Sequence, residues 1–320
     1  MAKYLVTGGA GFIGSNITHR ILSNGDSARV LDNLSTGRIE NLEDAKGDLE
    51  FINGDIRDLQ TLMQAADGVD YILHQAALPS VQRSVENPVA SNENNVVGTL
   101  NVLIAARDCR VKRFVMASSS SVYGNTPTLP KVESMPTMPL SPYAVSKLAA
   151  ERYAMSFYTV YGVPTVAFRY FNVFGPRQDP KSHYAAVIPL FINALLRNEA
   201  PIVHGDGEQS RDFTFIENVV YGNLLACESD AASGHAMNLA CGDRITLNEL
   251  LRKLENIIGV DANAKHIESR TGDVKHSQAG IDLARKLMNF EPQIRFDDGL
   301  KKTVEYYQSL LQPEAVGAVA

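Results

Sequence analysis

Gly8, Gly11 and Gly14 stand three apart between a short apolar run, Lys3 to Thr7, and a segment from Phe12 to Leu22 with helical periodicity. A strand that passes through a glycine turn directly into a helix constrains the fold more than any other feature of this chain. The glycines permit a tight turn, a close approach of backbone to ligand and close helix packing, and the helix N-terminus attracts phosphate charge. Such a unit is at home in a parallel α/β sheet, and the rest of the chain continues in kind. Apolar runs recur at Ala28 to Asp32, Leu49 to Asn53, Tyr71 to His74, Phe114 to Ala117 and Thr165 to Arg169, with helical patterns between most of them. The alternation predicts an α/β fold, a Rossmann-type doubly wound parallel sheet with helices on both faces.

The glycine spacing is G-x-x-G-x-x-G, and Asp32 ends the second strand eighteen residues beyond Gly14. A carboxylate there can accept both ribose hydroxyls of NAD and would repel the 2′-phosphate of NADP, so NAD is the expected cofactor. Arg38 tempers that exclusion without reversing it. Asp55, after the third strand in Asn53-Gly-Asp-Ile56, is placed to meet the adenine amino group.

A second constellation carries chemistry. In Ser141-Pro-Tyr-Ala-Val-Ser-Lys147, serine as N-cap and proline at the first helical position mark a helix start, and the helix should run to about Tyr161, before Gly162-Val-Pro164. Tyr143 and Lys147 then share one face. A free tyrosine has a pKa of about 10, so a base working near neutrality needs it lowered by about 3, or about 4 kcal/mol, and an adjacent ammonium can supply much of that. The run Ser118-Ser-Ser-Ser-Val-Tyr-Gly124 places hydroxyls at the carboxyl end of a strand, where open α/β sheets hold ligands.

Length and composition leave room for two lobes. The chain has 320 residues, 45% hydrophobic and 21% charged, with a formal net charge of -6, which gives no reason to expect nucleic acid or an acidic membrane surface as partner. Cys109, Cys227 and Cys241 have neither metal-type nor disulfide-framework spacing, so no metal site is expected, and a reduced cytoplasmic setting fits. No secretory signal or membrane-length apolar run is evident. After Asn172 loop signals multiply, at Gly175-Pro176, Asp179-Pro180, Pro189 and Gly205-Asp-Gly207. The expected division is a nucleotide-binding domain over 1–172 with returning segments near 214–245, a substrate lobe over 173–213 and 246–312, and a tail over 313–320.

Taken together, Gly8-x-x-Gly11-x-x-Gly14, Asp55-Ile56, His74-Gln-Ala-Ala77, Asn95, Ser119 before Val122-Tyr-Gly124, Tyr143-x-x-x-Lys147, Arg169-Tyr-Phe-Asn172, Arg211-Asp-Phe213 and Arg270-Thr-Gly-Asp273 resemble the extended short-chain dehydrogenase/reductase family. Within it they resemble the UDP-hexose 4-epimerases, over nearly the whole chain. The resemblance implies that Tyr143 is the base, that Lys147 lowers its pKa and holds the nicotinamide ribose, and that Ser119 shares the proton network of the substrate 4-OH. It implies cofactor contacts from Gly8, Gly11, Phe12, Ile13 and Gly14, from Asp32, Asn33, Ser35, Thr36 and Gly37, from Asp55, Ile56, Gln75, Ala76 and Ala77, and from Asn95 and Phe171. For the nucleotide-sugar it implies Ser119, Ser120, Tyr143, Asn172, Val187, His204, Arg211, Arg270, Asp273 and Ser277. Two arginines suit a pyrophosphate, because guanidinium binds phosphate oxygens bidentately. His204 departs from the aromatic residue of some relatives.

Related sugar dehydratases carry an aspartate-glutamate pair just before the Val122-Tyr123 position, and related decarboxylases a glutamate. Here Ser120 and Ser121 stand there, which disfavours elimination. The implied reaction is reversible inversion at C4 of a UDP-hexose through a 4-keto sugar, with NAD unchanged over the cycle. Ser277 follows Arg270-Thr-Gly-Asp273, at a position where a bulky residue in related enzymes excludes N-acetyl groups; a serine suggests that UDP-GlcNAc and its galacto epimer are accepted alongside UDP-glucose. Arg83 could instead meet a uronate carboxylate. The rivals are a UDP-uronate 4-epimerase, a dehydratase or net dehydrogenase, and a silent NAD-binding protein. The helices expected over about Val89 to Arg107 and Pro142 to Val160 resemble the pair that forms a homodimer interface in this family.

Overall fold

The computed structural model describes residues 1–180, 186–268 and 275–311. Chain order is β1 (Lys3–Thr7), α1 (Phe12–Ser23), β2 (Ser27–Asp32), β3 (Leu49–Asn53), α2 (Leu59–Ala66), β4 (Tyr71–His74), α3 (Val81–Glu86), α4 (Pro88–Asn92), α5 (Thr99–Asp108), β5 (Arg113–Ser119), α6 (Pro142–Tyr161) and β6 (Thr165–Tyr170). There follow β7 (Val173–Phe174), α7 (Val187–Leu196), β8 (Ile202–His204), β9 (Ser210–Arg211), β10 (Thr214–Phe215), α8 (Ile216–Glu228), β11 (His235–Leu239), β12 (Ile245–Thr246), α9 (Leu247–Ile258), β13 (Lys265–Ile267), α10 (Asp282–Met288) and α11 (Phe296–Leu311).

Seven strands form one parallel sheet in the order β11-β6-β5-β4-β1-β2-β3. This is the doubly wound arrangement expected from the alternating apolar runs. Alternation along each strand feeds two cores: Tyr4, Val6 and Val30 pack on the side of α1 and α8, while Leu5, Leu31 and Ile72 pack on the side of α2, α5 and α6. The order of travel reverses between β1 and β4, which opens a crevice at their carboxyl ends. Small two-stranded pairings, β10 with β7, β12 with β9 and β13 with β8, build the region beyond β6.

Helix α6 has the ends read from its sequence. The Ser141 hydroxyl accepts from the Ala144 N–H at 3.2 Å, Pro142 occupies the first turn, and Gly162 closes the helix in the left-handed conformation. The helix expected over Val89 to Arg107 differs. It is divided into α4 and α5 by a π-helical segment, Glu93–Gly98. Inside it Asn95, 1% exposed, accepts from the Leu78 N–H at 2.8 Å and donates to the Leu78 carbonyl and the Ser146 hydroxyl. The Thr99 hydroxyl donates to the Asn95 carbonyl, and it accepts from His74. These bonds compensate for the irregular backbone.

One buried ion pair ties the sheet to α6. Arg169 of β6 donates from Nε and Nη2 to the two Glu151 oxygens at 2.9 and 2.7 Å, and Glu151 is fully buried. Ser118 donates to Glu151 as well, and Arg169 reaches the Tyr123 hydroxyl, which donates to Asn238 of β11. Breaking such a pair leaves a buried charge uncompensated. Glu151→Gln should lower unfolding free energy by about 3–5 kcal/mol, read from a denaturant midpoint, and a loss under about 1 kcal/mol would refute this role.

Candidate active site

The glycine turn lies at the switch point. Gly8 has a left-handed φ of 70°, and a Cβ there would come within 2.6 Å of the Ala76 nitrogen, so the turn after β1 and the segment after β4 approach through glycine alone. A Cβ on Gly14 would collide with the Gly8 carbonyl. Gly11 is the N-cap of α1 with no side-chain cap, so the first N–H groups of this helix face the crevice without a side-chain partner. Those features fit a dinucleotide pyrophosphate.

The crevice is a cleft of about 670 Å³. It is lined by Gly8, Gly11, Phe12, Ile13 and Gly14, by Asp32, Asn33, Ser35 and Thr36, by Ile56, Gln75, Ala76 and Ala77, and by Ser119, Tyr143 and Lys147. The two sequence constellations therefore share one cavity. Asp32 accepts from the Ala10 and Leu34 N–H groups at 3.0 and 2.8 Å, so it also braces the glycine turn. Burial raises its pKa, and those two amides only partly oppose that. A Cβ on Gly37 would meet the Asp32 carboxylate at 2.8 Å, so Gly37 packs on that carboxylate without lining the cleft.

Three other residues stand back from the cleft surface. Asp55 is held by Arg57 through paired hydrogen bonds and by Asn33, with its pKa lowered to about 2 chiefly by Arg57. Asn95 clamps Leu78, which does line the cleft. Phe171 is fully buried among Val122, Tyr123, Ala279 and Ile281.

At the carboxyl end of β5 the hydroxyls are ordered. Ser119 accepts from both the N–H and the hydroxyl of Ser121, at 3.2 and 2.8 Å, which leaves its own proton to be given to the Tyr143 phenol. Ser121 was not among the sequence candidates, although its place two residues beyond Ser119 was the available signal. Ser120 begins the short 3-10 turn that follows and is half-buried.

Lys147 is 6% exposed and donates to the Ala117 carbonyl at 2.8 Å. Burial lowers its pKa to about 8, so it remains largely charged at neutrality, with donors left for a ligand. The phenol departs from expectation. In the protein alone burial raises the Tyr143 pKa, and the Ser119 hydrogen bond only partly opposes that. The physical reason is that desolvation acts on the whole phenolate, while Lys147 is directed at Ala117.

A second hollow of about 240 Å³ adjoins the first through Val173 and Ala186 and is lined by Asn172, Val187, His204 and Arg211. Asn172 has a left-handed φ of 33°, which asparagine tolerates better than most residues, and its amide donates to the Asp212 carbonyl and the Ser277 hydroxyl. His204 contacts the Glu268 carbonyl through Nδ1. Arg270 and Asp273 lie outside the described residues, as does the tail over 313–320. Ser80, Arg83, Tyr170 and Arg177 line the larger cleft without having been assigned to it from motifs of the sequence; Arg83 alone had been considered for a ligand. Ser80 combines a left-handed φ of 99° with the N-cap of α3, a feature only the folded backbone reveals.

The sequence model of the NAD dependent epimerase/dehydratase family matches residues 4–240. A putative UDP-glucose 4-epimerase of Methanocaldococcus jannaschii is 39% identical over 95% of this chain and 98% of its own. A UDP-glucose 4-epimerase of Mycolicibacterium smegmatis is 37% identical over 97% of this chain and 100% of its own. Among solved structures, a UDP-N-acetylglucosamine 4-epimerase from Methanobrevibacter ruminantium M1, in complex with UDP-N-acetylmuramic acid, superposes with a TM-score of 0.92 at 40% identity, covering 97% of this chain and 99% of that one. With a glycine cradle, a serine-tyrosine-lysine cluster and this family match on one chain, the protein belongs to the NAD dependent epimerase/dehydratase family.

Proposed function

We propose that this enzyme reversibly inverts C4 of a UDP-hexose, accepting UDP-GlcNAc as well as UDP-glucose, with NAD held through the whole cycle. What supports inversion over elimination is the turn after β5. Ser120 and Ser121 stand where an acid would be needed, and Ser121 is already engaged with Ser119. The carboxylates lining the cleft among the described residues are Asp32 and Asp179. Asp32 ends β2, three strand spacings from β5, or roughly 14 Å. Among the described residues, the turn that follows Ser119 offers no carboxylate to expel a hydroxyl as water.

The residues that would hold NAD are the glycine turn with Phe12 and Ile13 at the pyrophosphate, Asp32 with Asn33, Ser35, Thr36 and Gly37 at the adenosine ribose, and Lys147 with Gln75 to Ala77 at the nicotinamide end. Asp55 and Ile56 would border the adenine, Asn95 would hold the Leu78 loop around it all, and Phe171 would back the nicotinamide side. Bound NAD+ supplies the acceptor and then the donor of the C4 hydride, along with a positive charge in the cleft.

Tyr143 as phenolate takes the 4-OH proton directly or through Ser119, whose hydroxyl would pass the proton along. The Lys147 ammonium, largely charged at neutrality, would add to the positive charge that favours the phenolate once cofactor is bound. When the hydride returns to the opposite face of the 4-keto sugar, Tyr143 gives the proton back. The hexose must turn between these steps, which requires that the nucleotide, not the sugar, be anchored; Arg211, Asn172, Val187 and His204 would form that anchor, with Arg270 and Asp273 completing it. Apart from Asn172, at the end of the nucleotide-binding domain, this anchor would fall in the proposed substrate lobe over 173–213 and 246–312. The small Ser277 beside Asn172 would leave room for an N-acetyl group. Arg83 on the cleft wall favours one further substrate, a UDP-uronate, whose carboxylate it would meet.

We also propose a homodimer through the stretch from Val89 to Arg107, which comprises α4, the π-helical segment and α5, together with α6. These elements pack on one another and still leave Val89, Val97 and Val145 at 64%, 42% and 52% exposure. Three free cysteines suit a reducing, cytoplasmic setting.

Incubation with UDP-GlcNAc, UDP-glucose and UDP-glucuronate in separate tubes, without added reductant, should convert the first two towards their galacto epimers, followed by anomeric proton signals. Inversion of none of the three, or stoichiometric build-up of reduced nicotinamide, would overturn the proposal. Tyr143→Phe should reduce turnover by about 10²–10⁴-fold while nicotinamide released on denaturation stays at the parent level; undiminished turnover would remove Tyr143 as the base. Sedimentation should give twice the chain mass at micromolar concentration, and a monomer at every concentration would exclude the dimer.

A further inference from the structure

Ser277 sits in a stretch, residues 275–280, that belongs to no helix or strand of its own and is held by hydrogen bonds from three neighbours. On one side is β9. Ser210 donates its N–H to the Lys275 carbonyl at 3.0 Å and accepts from the Ser277 N–H at 3.0 Å, while its hydroxyl meets His276 Nδ1 at 2.9 Å. On the other side, the Lys131 N–H donates to the Gln278 carbonyl at 2.7 Å, and the Lys131 carbonyl accepts from the Gly280 N–H at 2.8 Å. The third neighbour is a side chain.

Asp212 is 0% exposed. Its Oδ1 accepts from the Cys241 N–H at 3.2 Å, and its Oδ2 accepts from the N–H groups of Gly242 and Ala279, both at 3.0 Å. One carboxylate thus joins the loop after β11 to the residue two beyond Ser277. Its backbone carbonyl accepts from the Asn172 amide at 3.1 Å, and the same amide reaches the Ser277 hydroxyl at 3.3 Å. Gln278 closes the ring by donating from Nε2 to the Gly242 carbonyl at 2.8 Å. Three backbone N–H groups converge on the one Asp212 side chain; burial raises its pKa to about 7 and those same three donors oppose that, so the ties are strongest when the carboxylate is ionised.

We infer that Asp212 is a positioning residue for sugar selection, fixing Ser277 from behind without touching substrate. The inference rests on the reading of Ser277 as the position that admits the N-acetyl group. A displacement of about 1 Å at such a position is enough to alter discrimination, because the N-acetyl group meets this segment and a plain hexose hydroxyl does not. Arg211, the last residue of β9, directly precedes Asp212 in the chain, so the proposed nucleotide anchor and the residue that holds the sugar-facing segment are neighbours.

The test compares kcat/KM for UDP-GlcNAc and UDP-glucose in Asp212→Asn, Gln278→Ala and Ser277→Tyr, with nicotinamide content measured alongside. Asp212→Asn places amide hydrogens against backbone N–H donors and should lower the UDP-GlcNAc to UDP-glucose ratio by about fivefold or more, with nicotinamide content retained. Gln278→Ala should lower the ratio in the same direction by about twofold, and it decides the matter if Asp212→Asn does not fold. A purely structural role would depress both substrates together and leave the ratio unchanged, which overturns the inference. Ser277→Tyr separates the two ideas. If it leaves the ratio unchanged, the reading of Ser277 fails; if it suppresses UDP-GlcNAc alone while the other variants leave the ratio intact, only the positioning of Ser277 by Asp212 fails.

Discussion

The buried Glu151–Arg169 pair is the interaction on which the geometry of this molecule most depends. It lies one helical turn beyond Lys147 on α6 and joins that helix to β6, while Ser118 brings in β5 and Tyr123 with Asn238 brings in β11. A buried charge pair is stable only when its remaining valences are met, and here each oxygen of Glu151 has a donor. The consequence is rigidity at the end of the sheet where Ser119, Tyr143 and Lys147 line the cleft. Asn238 extends the same frame to the carbonyls of Lys131 and Gly280, next to the segment carrying Ser277.

Around that frame the site is assembled from opposite sides of a topological reversal. The first glycine turn and the segment after β4 meet because Gly8 lacks a side chain, and the cleft that results runs from Asp32 to Tyr143. The cofactor end is built around the glycine turn and the Asp32 carboxylate that braces it. The sugar end is built from hydroxyls and one ammonium, with Ser121 spent on orienting Ser119. Burial raises the Tyr143 pKa, so the proposed role as base would rest on positive charge brought by the bound cofactor.

Much of this was legible in the order of residues. The strands at Lys3–Thr7, Leu49–Asn53 and Tyr71–His74 have the limits their apolar runs indicated, and α6 begins at a serine cap and ends at a glycine. Such features are local: a run of apolar residues or a capping hydroxyl acts within a few positions of itself. The π-helical segment at Glu93–Gly98 was not legible, because it depends on Asn95 meeting Leu78 and Ser146 from distant parts of the chain. Nor was the state of Tyr143. The spacing to Lys147 placed both on one face of a helix, but burial, a property of the whole packing, set the sign of the pKa change.

By itself the sequence determined the α/β class, the glycine cradle, the serine-tyrosine-lysine set and the lack of acids at 120 and 121, since each follows from residue type and short-range spacing. Only the tertiary structure decided that Asn95 and Phe171 stand behind the cleft, that Ser121 orients Ser119, and that Asp212 reaches across to Ala279. Those are contacts between residues far apart in the chain, and they exist only once the sheet has brought its carboxyl ends together.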